Sequence, residues 1–428
     1  MKNFKESGIE WLGEIPEHWE VVKINKIVTF VNGYAFENFD FNPIFEIPVI
    51  RIGDMQKEKI LYDNCLKTKE KEKLKQFLIS NNDILIALSG ATTGKIAFCD
   101  TDNKAYINQR VAIVRSKLKL VKYYFLTRGF SLLIELACNG SAQPNISTKE
   151  IGEFKIPLPP LKEQEQIANF LDEKCKKIAN FIEKKEKLIT LLKEQKQALI
   201  NETITKGLDK NINFKDSGIE WLGEIPQHWE VVKIKFLAIF YTGDSIKDSE
   251  KHKYCFLNNS IPYISTKDID INTNVIDYNN GMFIEKNDAN FKRAYTNSIL
   301  LCLEGANAGK KIAFLDKEVC FVNKLCCISS KTKKLNSKFL FYFLQSVFFK
   351  NVFIANIKGL IGGITTDQLG NFYMLFPPLK EQEQIANFLD EKCKKIDLLI
   401  EKTEKQIKLI KEYKTTLINQ AVCGRINN

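Results

Sequence analysis

The chain has almost no histidine: His18, His228 and His252 are the only three in 428 residues. They lie too far apart for a histidine-based metal site, and packing beside a tryptophan is the simpler role for His18 and His228. The eleven cysteines are odd in number and contain no C-x-x-C pair; Cys326 and Cys327 are merely adjacent. This argues against a zinc ribbon and a disulfide framework, so the cysteines are expected to be reduced, mostly buried small hydrophobes. No apolar run approaches the roughly 20 residues of a membrane helix. The opening MKNFKESGIEW has no apolar signal-peptide core, so the expected location is cytoplasmic.

Two kinds of chemistry lack their motifs. GATTGK (Gly90–Lys95) and GANAGKK (Gly305–Lys311) approach a phosphate-cradling P-loop. They have three residues between the glycines where a P-loop has four, and neither places Ser or Thr after the lysine. Nucleotide binding is therefore not expected. DNA methyltransferase chemistry would need a glycine-rich cofactor loop after a strand and a pocket for a flipped base. No such loop is present, and neither Asn nor Asp precedes a Pro-Pro-aromatic run.

Hydrophobic residues make up 44% and charged residues 27%, enough for ordinary cores, and the length suits two to four domains. The formal net charge of +11 favours phosphate backbones without singling them out.

The chain repeats itself. SGIEWLGEIPEHWEVVKI from Ser7 returns at Ser217 with one change, Glu17 to Gln227. PPLKEQEQIANFLDEKCKKI from Pro159 returns from Pro377. All four tryptophans, Trp11, Trp19, Trp221 and Trp229, fall in the first block and its copy and read as structural, packing each domain against the helix ends. Between the blocks only scattered positions match: IPVIRIGDM with IPYISTKDI, ILIALSGATTGKIAF with ILLCLEGANAGKKIAF, YINQRVAIVRSK with FVNKLCCISSK. A period this long is two domains of one type, not a solenoid.

After each Pro-Pro pair the sequence fills with helix formers, with Glu163 and Glu165 near the start and Gly207 or Gly424 near the stop. Each helix is expected to run about 40 residues. Spacings of four and three place Leu171, Cys175, Ile178, Ile182, Lys185, Ile189, Leu192, Lys196 and Leu199 on one stripe. Leu389, Cys393, Ile396, Ile400, Thr403, Ile407, Ile410, Lys414 and Leu417 form the matching stripe. Such a seam needs a partner, and the other copy is nearest. The two helices are expected to pair antiparallel and hold the domains apart. Short β-branched runs with glycine turns, then apolar stretches from Lys122 and Lys338 that read as helical, predict an α+β domain used twice.

With WLGEIPEHWEVVKI, IPVIRIGDM, SGATTGK, INQRVAIVRSK, GSAQPNIS and PPLKEQEQIANFLDEK in this order, the chain resembles the specificity subunit of a type I restriction–modification enzyme over essentially its whole length. The resemblance implies target-recognition domains at 1–157 and 208–375, with spacer helices at 158–207 and 376–428. Each domain would read one half of a bipartite, asymmetric site in double-stranded DNA. The helices would fix the unread gap and dock two modification subunits. The chain would catalyse nothing itself. S-adenosylmethionine, ATP and Mg would belong to the modification and the restriction (motor) subunits. The second half departs from the pattern where KGLIGGITTDQLG replaces GSAQPNIS and VNKL replaces INQR, so the halves are expected to read different bases.

Polar groups in loops beside the strands are the candidate DNA contacts. In the first half they are Asn32, Tyr34, Arg51, Thr92, Thr93, Lys95, Gln109, Arg110, Gln143 and Asn145; in the second, Thr242, Lys267, Asn307, Lys310, Lys311, Asn323 and Lys324. Arg51, Arg110 and the amide side chains suit bidentate base contacts, and the lysines suit phosphates. Two other readings remain: a coiled-coil scaffold without sequence preference, and a fused methyltransferase or nuclease, against which the missing cofactor loop argues. The duplication also predicts that residues 1 to about 210 alone would pair with themselves and read a palindromic site.

Overall fold

The computed structural model describes residues 3–9, 11–99, 103–139, 144–219, 222–255, 259–359 and 362–426. Gln143 and Trp221 lie outside them. The chain forms two compact units, Met1–Lys184 with Lys405–Asn428, and Lys185–Glu404.

The first unit is a mixed fold of strands β1 (Glu20–Lys23), β2 (Thr29–Asn32), β3 (Ile47–Ile50), β4 (Leu66–Thr68), β5 (Ile84–Ala87), β6 (Ile96–Phe98), β7 (Tyr106–Ile107) and β8 (Val111–Arg115), helices α1 (Val121–Tyr124), α2 (Arg128–Ala137) and α3 (Thr148–Glu153), strand β9 (Lys155–Leu158) and the start of α4 (Leu161–Lys206). An antiparallel sheet runs β6-β5-β8-β2, and a smaller one runs β7-β3-β4 with β7 parallel to β3. The larger sheet is covered on both faces. Ile84, Ile86, Ala112 and Val114 join the core of Trp19 and the helices. Leu85, Val111 and Ile113 point the other way, toward Ile50 and Ile107 of the smaller sheet. Burial on both sides explains why ILIA and VAIV are continuously apolar.

The second unit repeats the plan with β10 (Glu230–Lys233), β11 (Ala238–Thr242), β12 (Ser260–Ile264), β13 (Phe283–Glu285), β14 (Arg293–Ala294), β15 (Ile299–Cys302), β16 (Ile312–Phe314), β17 (Val319–Phe321), β18 (Leu325–Ser330), helices α5 (Ser337–Gln345), α6 (Val347–Ala355) and α7 (Thr366–Gly370), strand β19 (Tyr373–Phe376) and the start of α8 (Leu379–Val422). Its sheets run β11-β18-β15-β16 and β13-β12-β17-β14. Each apolar stretch expected as a single helix is two, divided where a hydroxyl caps a new start. Thr127 accepts from the Phe130 amide at 3.1 Å, and Ser346 accepts from the Phe349 amide at 3.2 Å.

The adjacent cysteines are explained by strand alternation. Cys326 faces the helix-side core and Cys327 the sheet-side core. Burial raises both thiols, and it pushes Cys65 and Cys320 up to about 12. Only Cys255 is exposed among the described residues. An aromatic disulfide reagent at neutral pH is therefore expected to modify Cys255 promptly, and Cys326 and Cys327 only in denaturant. Prompt modification of the adjacent pair in the native protein would contradict this packing.

Helix α4 spans 46 residues and α8 spans 44. Within the first unit, Leu171, Ile178 and Ile182 share a core with Ile410, Leu417 and Ala421. Ile167 and Phe170 line a void of about 20 Å³ with Ala421 and Gly424, while Asp172 and Cys175, further along, line a cleft with Lys414, so the two segments run antiparallel. Within the second unit, Lys196 Nζ donates to Asp397 at 2.7 Å, while Gly207 lies against Glu381, again antiparallel. The stripe is sharply defined. Leu171, Ile178, Leu389, Ile396, Ile407 and Leu417 are buried; Ile182, Ile189, Leu192, Leu199, Ile400 and Ile410 are half-buried. Their immediate neighbours Leu191, Leu399 and Leu409 are exposed. The polar interruptions are satisfied in different ways, with Lys414 pairing with Glu58 at 2.9 Å.

Each duplicated tryptophan block clamps two helix ends inside its unit. Glu163, in the first turn of α4, accepts from Trp19 Nε1 at 3.1 Å and lies 2.6 Å from His18 Nε2. A Cβ on Gly424 would come within 3.1 Å of the Trp19 ring. In the second unit His228 Nε2 lies 2.8 Å from Glu381, and Gly207 abuts Trp229. Further along, Lys122 and Tyr123 meet Asp172, as Lys338 and Tyr342 meet Asp390. Burial, then the carboxylate contact, raises the Tyr123 and Tyr342 phenols.

Candidate nucleic-acid interface

The sheet registers bring a set of loops to one end of the first unit. Asn32 closes β2 opposite Ala112, Val111 opens β8 opposite Ala87, and Ile96 opens β6 opposite Ile86. Ile107 closes β7 beside Ile50 of β3. The segments that follow or precede these residues must therefore emerge together. Backbone hydrogen bonds lock them to one another. Leu88 N donates to Arg110 O at 2.9 Å, Asn108 N to Ile50 O at 3.0 Å, Tyr34 N to Ile107 O at 3.1 Å and Gly90 N to Pro144 O at 2.9 Å.

Asn32, Thr92, Gln109, Arg110 and Asn145 are exposed at this end. Thr93 is not free, because its hydroxyl donates to Gly90 O at 2.7 Å and shapes the turn. Tyr34 packs edge-on to Phe36, with ring centres 5.0 Å apart, and belongs to a small aromatic core. Arg51 is committed to Asp54, donating through Nε at 3.1 Å and Nη2 at 3.4 Å while the same carboxylate accepts from its own amide at 2.9 Å. Lys95 turns inward, with Nζ 3.5 Å from Ile52 O.

The second unit builds the same end from other residues. Thr242 closes β11 opposite Cys326, and Cys302 closes β15 opposite Leu325. Leu303 N donates to Lys324 O at 3.0 Å, the counterpart of Leu88 to Arg110. Lys311 Nζ donates to Thr266 O at 2.7 Å, matching Lys95 and Ile52, so Lys310 is the inserted residue of this turn. Lys310 is exposed and reaches Ala306 O at 3.1 Å. Lys267, Asn323 and Lys324 are exposed, and Asn307 and Thr242 are half-buried. Ser265 holds Asp268 as Arg51 holds Asp54, through its amide at 2.8 Å and hydroxyl at 2.6 Å.

Most amides of the glycine turns serve the protein's own backbone. Gly90 and Gly94 have φ of 87° and 83°, Gly305 and Gly309 of 83° and 70°, a region that favours glycine. The amides of Gly90, Thr93, Gly94 and Lys95 all donate to protein carbonyls. They are already spent, whereas a phosphate cradle needs free N–H groups.

The structure adds residues that pattern reading passed over. Lys358 is exposed beside Gly363, and that segment is tied to the glycine turn by Gly305 N to Gly362 O at 2.8 Å. The signal was present in KGLIGG, a basic residue entering a glycine pair. The two segments 144–153 and 362–370 also share a capping box: Ser147 with Glu150, and Thr365 with Gln368. Of the candidate residues exposed at these two ends, Thr92 carries a hydroxyl and the rest are cationic or amide-bearing, with the acidic Glu304 exposed beside them in the second unit. Such a set can bind an anionic polymer and hydrogen-bond to base edges.

Comparison with known proteins gives a consistent result. Residues 16–202 and 226–409 each match the family described as Type I restriction modification DNA specificity domain. The chain is 27% identical, over 99% of its length and 96% of the relative's, to the Type I restriction enzyme MjaVIII specificity subunit of Methanocaldococcus jannaschii. It is 29% identical to the putative MjaX specificity subunit of the same organism, over 99% of this chain and 97% of that one. Among solved structures, a chain from work on complex assembly and conformational transition of the type I R-M system superposes with a TM-score of 0.71 at 16% identity, covering 96% of this chain and 99% of that one. That likeness concerns the fold.

Proposed function

The chain belongs to the type I restriction–modification DNA specificity family, and on that premise we propose that each unit reads one half of a bipartite, asymmetric site in double-stranded DNA. The observation that carries this reading is the loop end built twice on one backbone frame with different side chains. Leu88–Arg110 and Leu303–Lys324 are the same hydrogen bond, yet Gln109–Arg110 stands where Asn323–Lys324 stands in the other unit. A constant frame with unlike exposed groups suits two unlike half-sites. The long helices act as the spacer that fixes the unread gap and dock two modification subunits, consistent with their matched stripes. The subunit itself performs no chemistry. Its partners use S-adenosylmethionine to methylate adenine, or ATP and Mg in the restriction subunits to move along and cut unmodified DNA. No single helix among the described residues is long and apolar enough to cross a membrane, which fits a cytoplasmic place beside DNA.

The test is genome-wide adenine methylation, read by single-molecule sequencing in host cells with and without the gene. Loss of one bipartite motif with a fixed gap is the expected outcome. An unchanged methylation pattern would count against the reading.

A further inference from the structure

Arginine is scarce here. Only six of the 63 basic Lys and Arg residues are arginine. Five of the six are held by the protein. Arg51 is bound to Asp54, Arg115 to Asp83 at 3.1 Å, Arg128 to Glu135 at 2.8 Å and Arg293 to Glu318 at 3.3 Å. Arg425 donates to Leu12 O at 3.1 Å. Arg110 alone has no side-chain partner among the described residues, and it is exposed.

Its backbone is nevertheless fixed. Arg110 O accepts from Leu88 N, Val111 N donates to Asn108 O at 2.8 Å, and Gly33 lies beneath the same turn. A free guanidinium on a rigid support at the candidate interface is pre-organised for planar, two-pronged recognition. The matching position in the second unit is Lys324, a point charge without the planar fork.

We infer that Arg110 reads one guanine in the half-site of the first unit, through paired hydrogen bonds to O6 and N7, and that the second unit reads its half-site without an arginine. This rests on the proposed DNA reading. Arginine to guanine is the commonest specific contact in the major groove, and a good bidentate pair discriminates against the wrong base by roughly 5- to 150-fold. Arg51 is the obvious competitor on sequence, but its Nε and Nη2 are engaged by Asp54 and by Asn64 O, which breaks up the paired donors a base would need.

The experiment compares adenine methylation motifs in cells carrying the full-length wild-type gene, Arg110→Ala or Arg110→Lys. The wild type should show a guanine at a fixed position of one half-site. Both substitutions should relax that position by roughly 5- to 150-fold and leave every other position of both half-sites intact. Arg110→Lys is decisive, since it keeps the charge and loses the fork. An unchanged motif in both variants would overturn the assignment. So would a fall in methylation at all sites that Arg110→Lys repairs, which marks a phosphate contact, or loss of all modification in both variants. A wild type with no gene-dependent motif would sink the DNA reading as well, a result distinct from the other three.

Discussion

Gly33→Ala is expected to unfold the candidate-interface end of the first unit. A Cβ at Gly33 would sit 2.1 Å from Asn108 O, 2.4 Å from Asn108 C and 2.8 Å from Val111 O. All three are backbone atoms, so no side chain can swing aside. The Asn108–Val111 turn, which carries Gln109 and Arg110, must move or break its hydrogen bonds. A cost of about 3 kcal/mol or more is expected. Denaturant unfolding should show the first unit destabilised by that amount, and the amides of Gly33, Tyr34 and Val111 should lose hydrogen-exchange protection. Gly53→Ala is the control: nothing lies within 4 Å of its Cβ, and an effect within about 0.5 kcal/mol is expected. Gly243→Ala should repeat the result in the second unit, where the Cβ would meet Phe321 O at 1.8 Å. Equal stability of Gly33→Ala and Gly53→Ala would mean that the close approach is not real.

The second large effect belongs to the buried indoles. Trp19 and Trp229 are 1% and 0% exposed. Truncating either to alanine should cost about 3–5 kcal/mol, because each fills the junction of two helix ends that no neighbour can fill instead. The Phe variants separate packing from hydrogen bonding. Trp19 Nε1 donates to Glu163, whereas Trp229 Nε1 has no partner among the described residues. Trp19→Phe should therefore cost more than Trp229→Phe, by about 1–2 kcal/mol. Equilibrium unfolding of the four variants checks this, and an equal cost for the two Phe substitutions would show that the Glu163 bond adds nothing.

The helices were the most legible part of the chain. Their four–three spacing selects one face so strictly that Ile400 is half-buried and Leu399 exposed. The strands were legible as apolar runs, but the pairing of β7 with β3, which assembles the candidate interface, joins segments far apart in sequence and left no local mark. The candidate residues divided for the same reason. Arg51 looked as available as Arg110, and its capping by Asp54 three residues on was readable only in retrospect. Lys95 and Lys311 are claimed by carbonyls 43 and 45 positions away, a distance at which no sequence pattern shows. Gln109 and Asn145 are exposed, Asn145 being held only through its backbone by a bridge to Ser89, which leaves its side chain where a local turn pattern would put it.

The composition of the first unit has a consequence for biosynthesis. Leu417, Ile418, Ala421, Val422 and Cys423 belong to the same core as Trp19 and Leu171. A ribosome makes them only after the whole of the second unit. The first-made strands must therefore wait, with an open apolar face, while the second unit emerges and closes its own core from residues 185–404. Chain order and closure order are reversed, so the nascent first half is the state most exposed to aggregation and to holding by chaperones. A stop codon just after Glu404 would accordingly spare the half made last and cripple the half made first.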